Sequence, residues 1–177
     1  LQFDFVSHGL KEGDFEDEVR KLGGRIYRIN SLGRAGPVAY VKNLMSIIKG
    51  GHYEAIHVHT DFQGGVVAFA AFLARVKIRI CHSHCTSWNR GEHGIQALGL
   101  QALKGMIQVF ANQYCACSQK AGRFLFGSKS RRMNILNNTI DVASYQTLNQ
   151  VDRQLERSKL GIPAESIVIG HVGRFSE

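Results

Sequence analysis

The sequence predicts an α/β fold: a mostly parallel sheet with helices on both faces. Three observations predict it. Apolar, strand-like runs alternate with helical patterns along nearly all of the 177 residues. Five of the strand-like runs close on a small polar cluster: His57-Val58-His59-Thr60, Cys81-His82-Ser83-His84-Cys85, Cys115-Ala116-Cys117-Ser118, Asn137-Asn138-Thr139 and His171-Val172-Gly173-Arg174. The composition, 44% hydrophobic and 20% charged, is that of a globular chain with a sizeable core. In an open parallel sheet, ligands bind in the crevice outside the carboxyl ends of the strands. The clusters therefore fall where a site belongs, and they point to a ligand-binding domain.

Each element has its own signal. Gln2 to Ser7 alternates weakly and ends at His8-Gly9, a strand and its turn. Asp14 to Lys21 is a charged helix stopped by Gly23-Gly24. Arg25 to Asn30 alternates as a second strand. Pro37 opens an amphipathic helix in which Val38, Val41, Leu44, Met45 and Ile48 keep helical spacing up to Gly50-Gly51. Strands at Tyr53–His59 and Val76–His82 flank a helix from Gly64 to Arg75. Its apolar stretch, Val66 to Ala74, is about half of what spans a bilayer, so it reads as a buried helix. Thr86 to Gly94 is long and polar enough for a functional loop. Ile95 to Ala111 carries one apolar helical stripe, followed by a strand at Tyr114–Cys117, a short basic helix at Gln119–Phe126 and a strand at Met133–Leu136. Val151 to Leu160 is a helix stopped by Gly161, and Ser166 to Val172 is a last strand.

The formal charge of +8 calls for an anionic partner, yet no nucleic-acid motif or arginine-rich helix accompanies it. A phosphorylated small molecule or an anionic membrane surface suits the charge instead. The basic residues Lys120, Arg123, Lys129, Arg131 and Arg132 read first as a solvated face. The four cysteines form two close pairs without C-x-x-C spacing, which reads as buried, reduced thiols in a cytoplasmic protein.

The clusters offer two chemistries. His57 and His59 alternate on a strand, so their imidazoles point the same way and could share an ion. This resembles the H-x-H opening of the amidohydrolase-like and polymerase-histidinol-phosphatase metal hydrolases. In those families the motif closes the first strand and acids follow at later strand ends; here at least two strands precede it and Asp61 is the only nearby acid. The favoured reading packs one histidine inside and lines the cleft with the other. Cys81, Ser83 and Cys85 face away from His82 and His84, so a mixed Cys/His zinc site does not form on that strand. A neutral imidazole there can serve a sugar hydroxyl or a phosphate without metal. Asn137 to Asp141 can cap a helix or bind hydroxyls. Gly173-Arg174 offers close backbone approach and a fixed cation, a pairing that suits a diphosphate.

Taken in order, Gly23–Tyr27, Tyr53–His59, Arg79–His84, Ala116–Ser118, Ile135–Asp141 and Ile169–Phe175 resemble the amino-terminal half of a family 4 retaining glycosyltransferase of GT-B type. The likeness is strongest to bacterial enzymes of exopolysaccharide or capsule synthesis. It implies a Rossmann-like acceptor-side domain over 1–150 lacking its first strand, an interdomain helix and linker over 151–165, and the first strand of a donor domain over 166–177. It implies His84 as the catalytic-site histidine near the transferred sugar. His59, Thr60, His82, Asn138 and Asp141 would contact substrate, and Gly173 and Arg174 would hold the donor diphosphate. Asn137 stands where the family has proline and Thr139 where it has glycine.

The implied reaction retains anomeric configuration and needs no metal or cofactor, the nucleotide-diphosphate sugar being the donor substrate. The acceptor would be a carbohydrate or lipid-linked polysaccharide precursor, which places the parent in the cytoplasm or at the inner membrane surface. The chain looks truncated at both ends, and alone it is expected not to turn over substrate. The alternatives are a metal-dependent hydrolase using His57, His59, His82 and His84, and a sugar- or nucleotide-binding domain without chemistry.

Overall fold

The computed structural model describes residues 2–9, 11–87, 95–143 and 153–170. The chain divides into two compact units, Leu1–Asn138 and Thr139–Glu177.

The first unit runs β1 (Phe5–Ser7), α1 (Glu16–Lys21), β2 (Ile26–Arg28), α2 (Leu32–Ala35), α3 (Pro37–Gly51), β3 (Ala55–Val58), α4 (Gly64–Leu73), β4 (Ile78–Ser83), α5 (Ile95–Phe110), β5 (Gln113–Ala116), α6 (Gln119–Phe126) and β6 (Asn134–Ile135). Two 3-10 turns, Asp61–Gln63 and Gly127–Arg132, join the series. Every strand pair is parallel, with α-helical crossovers between successive strands from β3 to β6, as alternating strands and helices require. The strands form two sheets, β1-β2 and β3-β4-β5-β6. No ladder joins β1 to β3; the link between the sheets includes side chains, the Tyr53 hydroxyl donating to the Asp4 carboxylate and standing 3.4 Å from the Tyr27 hydroxyl.

The core lies between the four-stranded sheet and its helices. Leu44 and Ile48 of the expected α3 stripe are buried together with Tyr40; Val41 and Met45 are half-buried, and Val38, at the first turn, is exposed instead. α4 is buried along nearly all of its length, from Gly64 to Ala71, which bears out its reading as an internal helix. A side chain at Gly65 would place Cβ 2.4 Å from the Leu103 carbonyl oxygen. Glycine is what lets α4 and α5 approach so closely. Arg79 of β4 donates from Nε to the Phe110 carbonyl and from Nη1 to that of Val76, both at 2.6 Å, and its guanidinium stacks on Phe72. A cation there satisfies the Phe110 carbonyl, which the end of α5 leaves without a helical partner. The Ser118 hydroxyl accepts from the Ala121 N–H at 3.2 Å and starts α6 where a capping residue belongs.

In the second unit, α7 (Arg153–Lys159) ends before Gly161, whose φ of 65° is the left-handed stop that glycine adopts freely. Arg157 Nη1 then gathers the carbonyls of Pro163, Ala164 and Ser166. The strand expected from Ser166 forms no ladder over 166–170, and Ile167 and Ile169 are 93% and 91% exposed. A β-strand needs a hydrogen-bonding neighbour, and no described residue of this unit supplies one. Val172 lies outside the described residues, as does most of the polar loop expected at Thr86–Gly94.

Candidate functional site

Because β3, β4, β5 and β6 are parallel, the residues that follow them share one edge of the sheet. That edge carries His59, His84, Ser118 and Asn138. Val58 pairs with Cys81, and one residue further on this register sets His59 opposite His82. With side chains alternating along each strand, His57, His59, His82 and His84 occupy the same face.

The four imidazoles form a compact group. Nε2 of His57 lies 3.1 Å from Nδ1 of His82, and Nδ1 of His59 lies 2.9 Å from Nε2 of His84. Ring centroids are 4.2 Å apart for His57 and His59, 4.3 Å for His82 and His84, and 4.9 Å for His59 and His82. His57, His59 and His84 are exposed, whereas His82 is only 6% exposed. This corrects the expectation of one packed and one cleft-lining histidine in H-x-H: both stand open, and the packed member comes from β4. The cause is position in the sheet, since β4 lies between β3 and β5 and β3 ends the ladder.

Burial and mutual repulsion oppose protonation. Burial pushes His82 down to about 4, with the neighbouring His84, His59 and His57 acting in the same direction. His57 and His59 are lowered by burial first and by adjacent imidazoles second. These three rings are therefore neutral near pH 7, each with one lone pair and one N–H. Nε2 of His82 and the Thr60 hydroxyl are buried without a partner among the described residues.

Asp61 fixes the rim. Its carboxylate accepts the backbone N–H groups of His84 at 2.9 Å and Cys85 at 3.4 Å. Its own φ is 45°, in the left-handed region that aspartate tolerates better than most residues. The sequence showed Asp61 only as a nearby acid; its position directly after H-x-H-T, at a strand-to-helix turn, is the signal that could have found it. On the other face of β4, the Ser83 hydroxyl donates to the Ala121 carbonyl at 2.9 Å and Cys81 packs against Gly64. Among the four cysteines, Cys81 thus faces away from the imidazoles, as strand alternation predicts, whereas Cys115 is registered with His82 on the neighbouring strand. All four are free thiols, but only Cys81 and Cys115 are buried; Cys85 is exposed and Cys117 half-buried, a correction that follows from their lying past the strand ends.

Asn138 is exposed beyond β6. Asp141, in the second unit, accepts the Ala143 N–H at 3.0 Å, which is the capping use expected of that segment. Gly173 and Arg174 lie outside the described residues. Lys120, Arg123, Arg131 and Arg132 are exposed and Lys129 half-buried, so the basic stretch is a solvated face. No described helix is long and apolar enough to cross a membrane.

Comparisons with known proteins agree with this architecture. No protein-family profile matches the chain. Across its whole length it is 39% identical to EpsF of Bacillus subtilis (strain 168), a protein named as a glycosyltransferase, of which it spans 47%. Over 73% of its length it is 24% identical to CapH of Staphylococcus aureus, named as a capsular polysaccharide biosynthesis glycosyltransferase, of which it spans 36%. Its fold matches the crystal structure of Anabaena HepE in complex with UDP-glucose with a TM-score of 0.66 at 20% identity, covering 98% of this chain and 53% of that one. The chain thus has an α/β architecture of parallel sheets flanked by helices, is similar to glycosyltransferases, and spans about half the length of EpsF and of HepE.

Proposed function

We propose that this chain is the acceptor-side half of a retaining, family 4 glycosyltransferase that moves a sugar from a nucleotide diphosphate to a polysaccharide precursor. The observation that carries the reading is the hydrogen-bonded His59–His84 pair at the carboxyl edge of a parallel sheet. That is where α/β sheets bind ligands, and the similarity to EpsF runs through it along the full chain.

In this reading His84 contacts the transferred sugar, with its backbone held by Asp61 and its ring by His59. Neutral imidazoles can both donate to and accept from hydroxyls, so His59 and His82 can orient sugar groups without repelling a diphosphate. Thr60 and Asn138 extend the polar rim, and Asp141 holds the segment after it. The main physical demand of the transfer is stabilising the negative charge that grows on the leaving diphosphate. Gly173 and Arg174 are proposed for that task, and no metal or cofactor is required. A lipid-linked acceptor at the cytoplasmic membrane surface fits the +8 charge and the exposed Lys120, Arg123, Arg131 and Arg132. Equal binding to neutral and anionic vesicles would remove the membrane part of the reading.

The test is to incubate the full-length polypeptide that carries this chain with a panel of UDP-, GDP- and dTDP-sugars. Consumption of one donor, with the anomeric configuration of the product retained by NMR, is the expected result. Failure to bind or consume any nucleotide sugar would overturn the reading. A metal-dependent hydrolase is the second reading, favoured by three imidazole nitrogens within 4.8 Å of one another. Against it, the carboxylate beside the group, Asp61, is engaged by backbone N–H groups rather than poised as a general base.

A further inference from the structure

We propose that His57, His59 and His82 bind one first-row transition-metal ion of the zinc type, a property separate from the glycosyl transfer proposed above. Each of the three offers a ring nitrogen, and these nitrogens all lie within 4.8 Å of one another. In a tetrahedral zinc site with arms of about 2.0–2.1 Å, ligand nitrogens stand about 3.3 Å apart. The His57–His82 approach of 3.1 Å is already near that separation, so small ring rotations complete the set. His84, 2.9 Å from His59, is the next nitrogen donor to hand.

Two features make the cluster a built site rather than a chance crowd. His57 and His82 sit on adjacent strands and His59 follows β3 by one residue, so the ladder that pairs His57 with Ile80 and Val58 with Cys81 sets their spacing. His82 is buried, and the nitrogen it turns toward the cluster, Nδ1, lies against the His57 ring.

The donor set selects the ion. Three neutral imidazoles and no ligating carboxylate suit zinc, cobalt, nickel or copper and are poor ligands for magnesium or calcium. Asp61, bonded to the amides of His84 and Cys85, supplies a negative charge beside the cluster. Because His59 and His82 belong to both sets, an ion here and a sugar held by these residues exclude one another.

The test uses this chain without a histidine tag, stripped with a chelator and titrated with Co2+ by visible absorption and with Zn2+ by calorimetry. The expected result is one ion per chain, with a cobalt spectrum of low coordination number. His57→Gln and His82→Gln should each weaken binding at least about tenfold, which is the loss of one of three ligands, whereas His52→Asn at an exposed helix end should not. His57 is exposed, so its variant reports even where His82→Gln fails to fold. Absence of saturable binding, or binding that His57→Gln leaves unchanged, overturns the proposal. So does Mg2+ competing equally with Zn2+.

Discussion

At the residue scale, the histidine group and Asp61 behave as one assembly with measurable linkage. His82 titrates near 4 in the folded chain and at an ordinary value when unfolded. Between those values the unfolded state binds more protons, so stability falls as pH drops through that window. With chelator present, the unfolding free energy from urea titration should fall between pH 6.5 and 4, by roughly 2–3 kcal/mol for His82. His82→Leu should flatten that slope; a pH-independent midpoint over this window would contradict the account. Asp61 carries a second prediction. Asp61→Ala removes the acceptor of two backbone N–H groups and leaves alanine at a positive φ, so it should lose about 1–3 kcal/mol by chemical denaturation. Asp61→Asn keeps an acceptor oxygen and tolerates that backbone, so it should recover most of the loss. The imidazole face was legible in the sequence because strand alternation fixes which way His57, His59, His82 and His84 point. Which of them is buried was not, because that depends on strand order in the sheet, set by contacts far apart in sequence.

At the scale of elements, helix approach and helix starts decide how firmly the rim is held. Gly65 sits where α4 meets α5 at the Leu103 carbonyl. Gly65→Ala should therefore destabilise by about 1–3 kcal/mol, despite alanine's better helix propensity, because the backbones must part. Thermal denaturation checks this; a stabilised variant would show that the crossing is looser than described. Ser118→Ala removes the cap of α6 and should cost about 1 kcal/mol. Periodicity located α3, α4, α5 and α6 well, since each is long enough for an apolar stripe or a buried run to show. It passed over α2, four residues long, and the 3-10 turn at Asp61–Gln63, since neither is long enough to establish a period. The strand expected at Ser166 had the right residues, but a ladder also needs a partner, and composition is silent on partners.

At the scale of the molecule, all-parallel pairing turns sequence-distant polar clusters into neighbours. The carboxyl edge of β3 to β6 collects His59, His84, Ser118 and Asn138 for that reason alone. Alternating strands and helices made this edge predictable. The separation into a β1-β2 sheet and a β3–β6 sheet was not, because strand patterns say nothing of which edges meet. The central claim is that this rim handles a nucleotide-linked sugar with His84 at the reacting end. The most direct measurement compares steady-state kinetics of wild type and His84→Ala in the full-length polypeptide, using its best nucleotide-sugar donor. The account predicts a fall in kcat on the order of 100-fold with donor KM changed little, the pattern of a group that acts in the transition state. A His84→Ala variant that transfers sugar at the wild-type rate would contradict it.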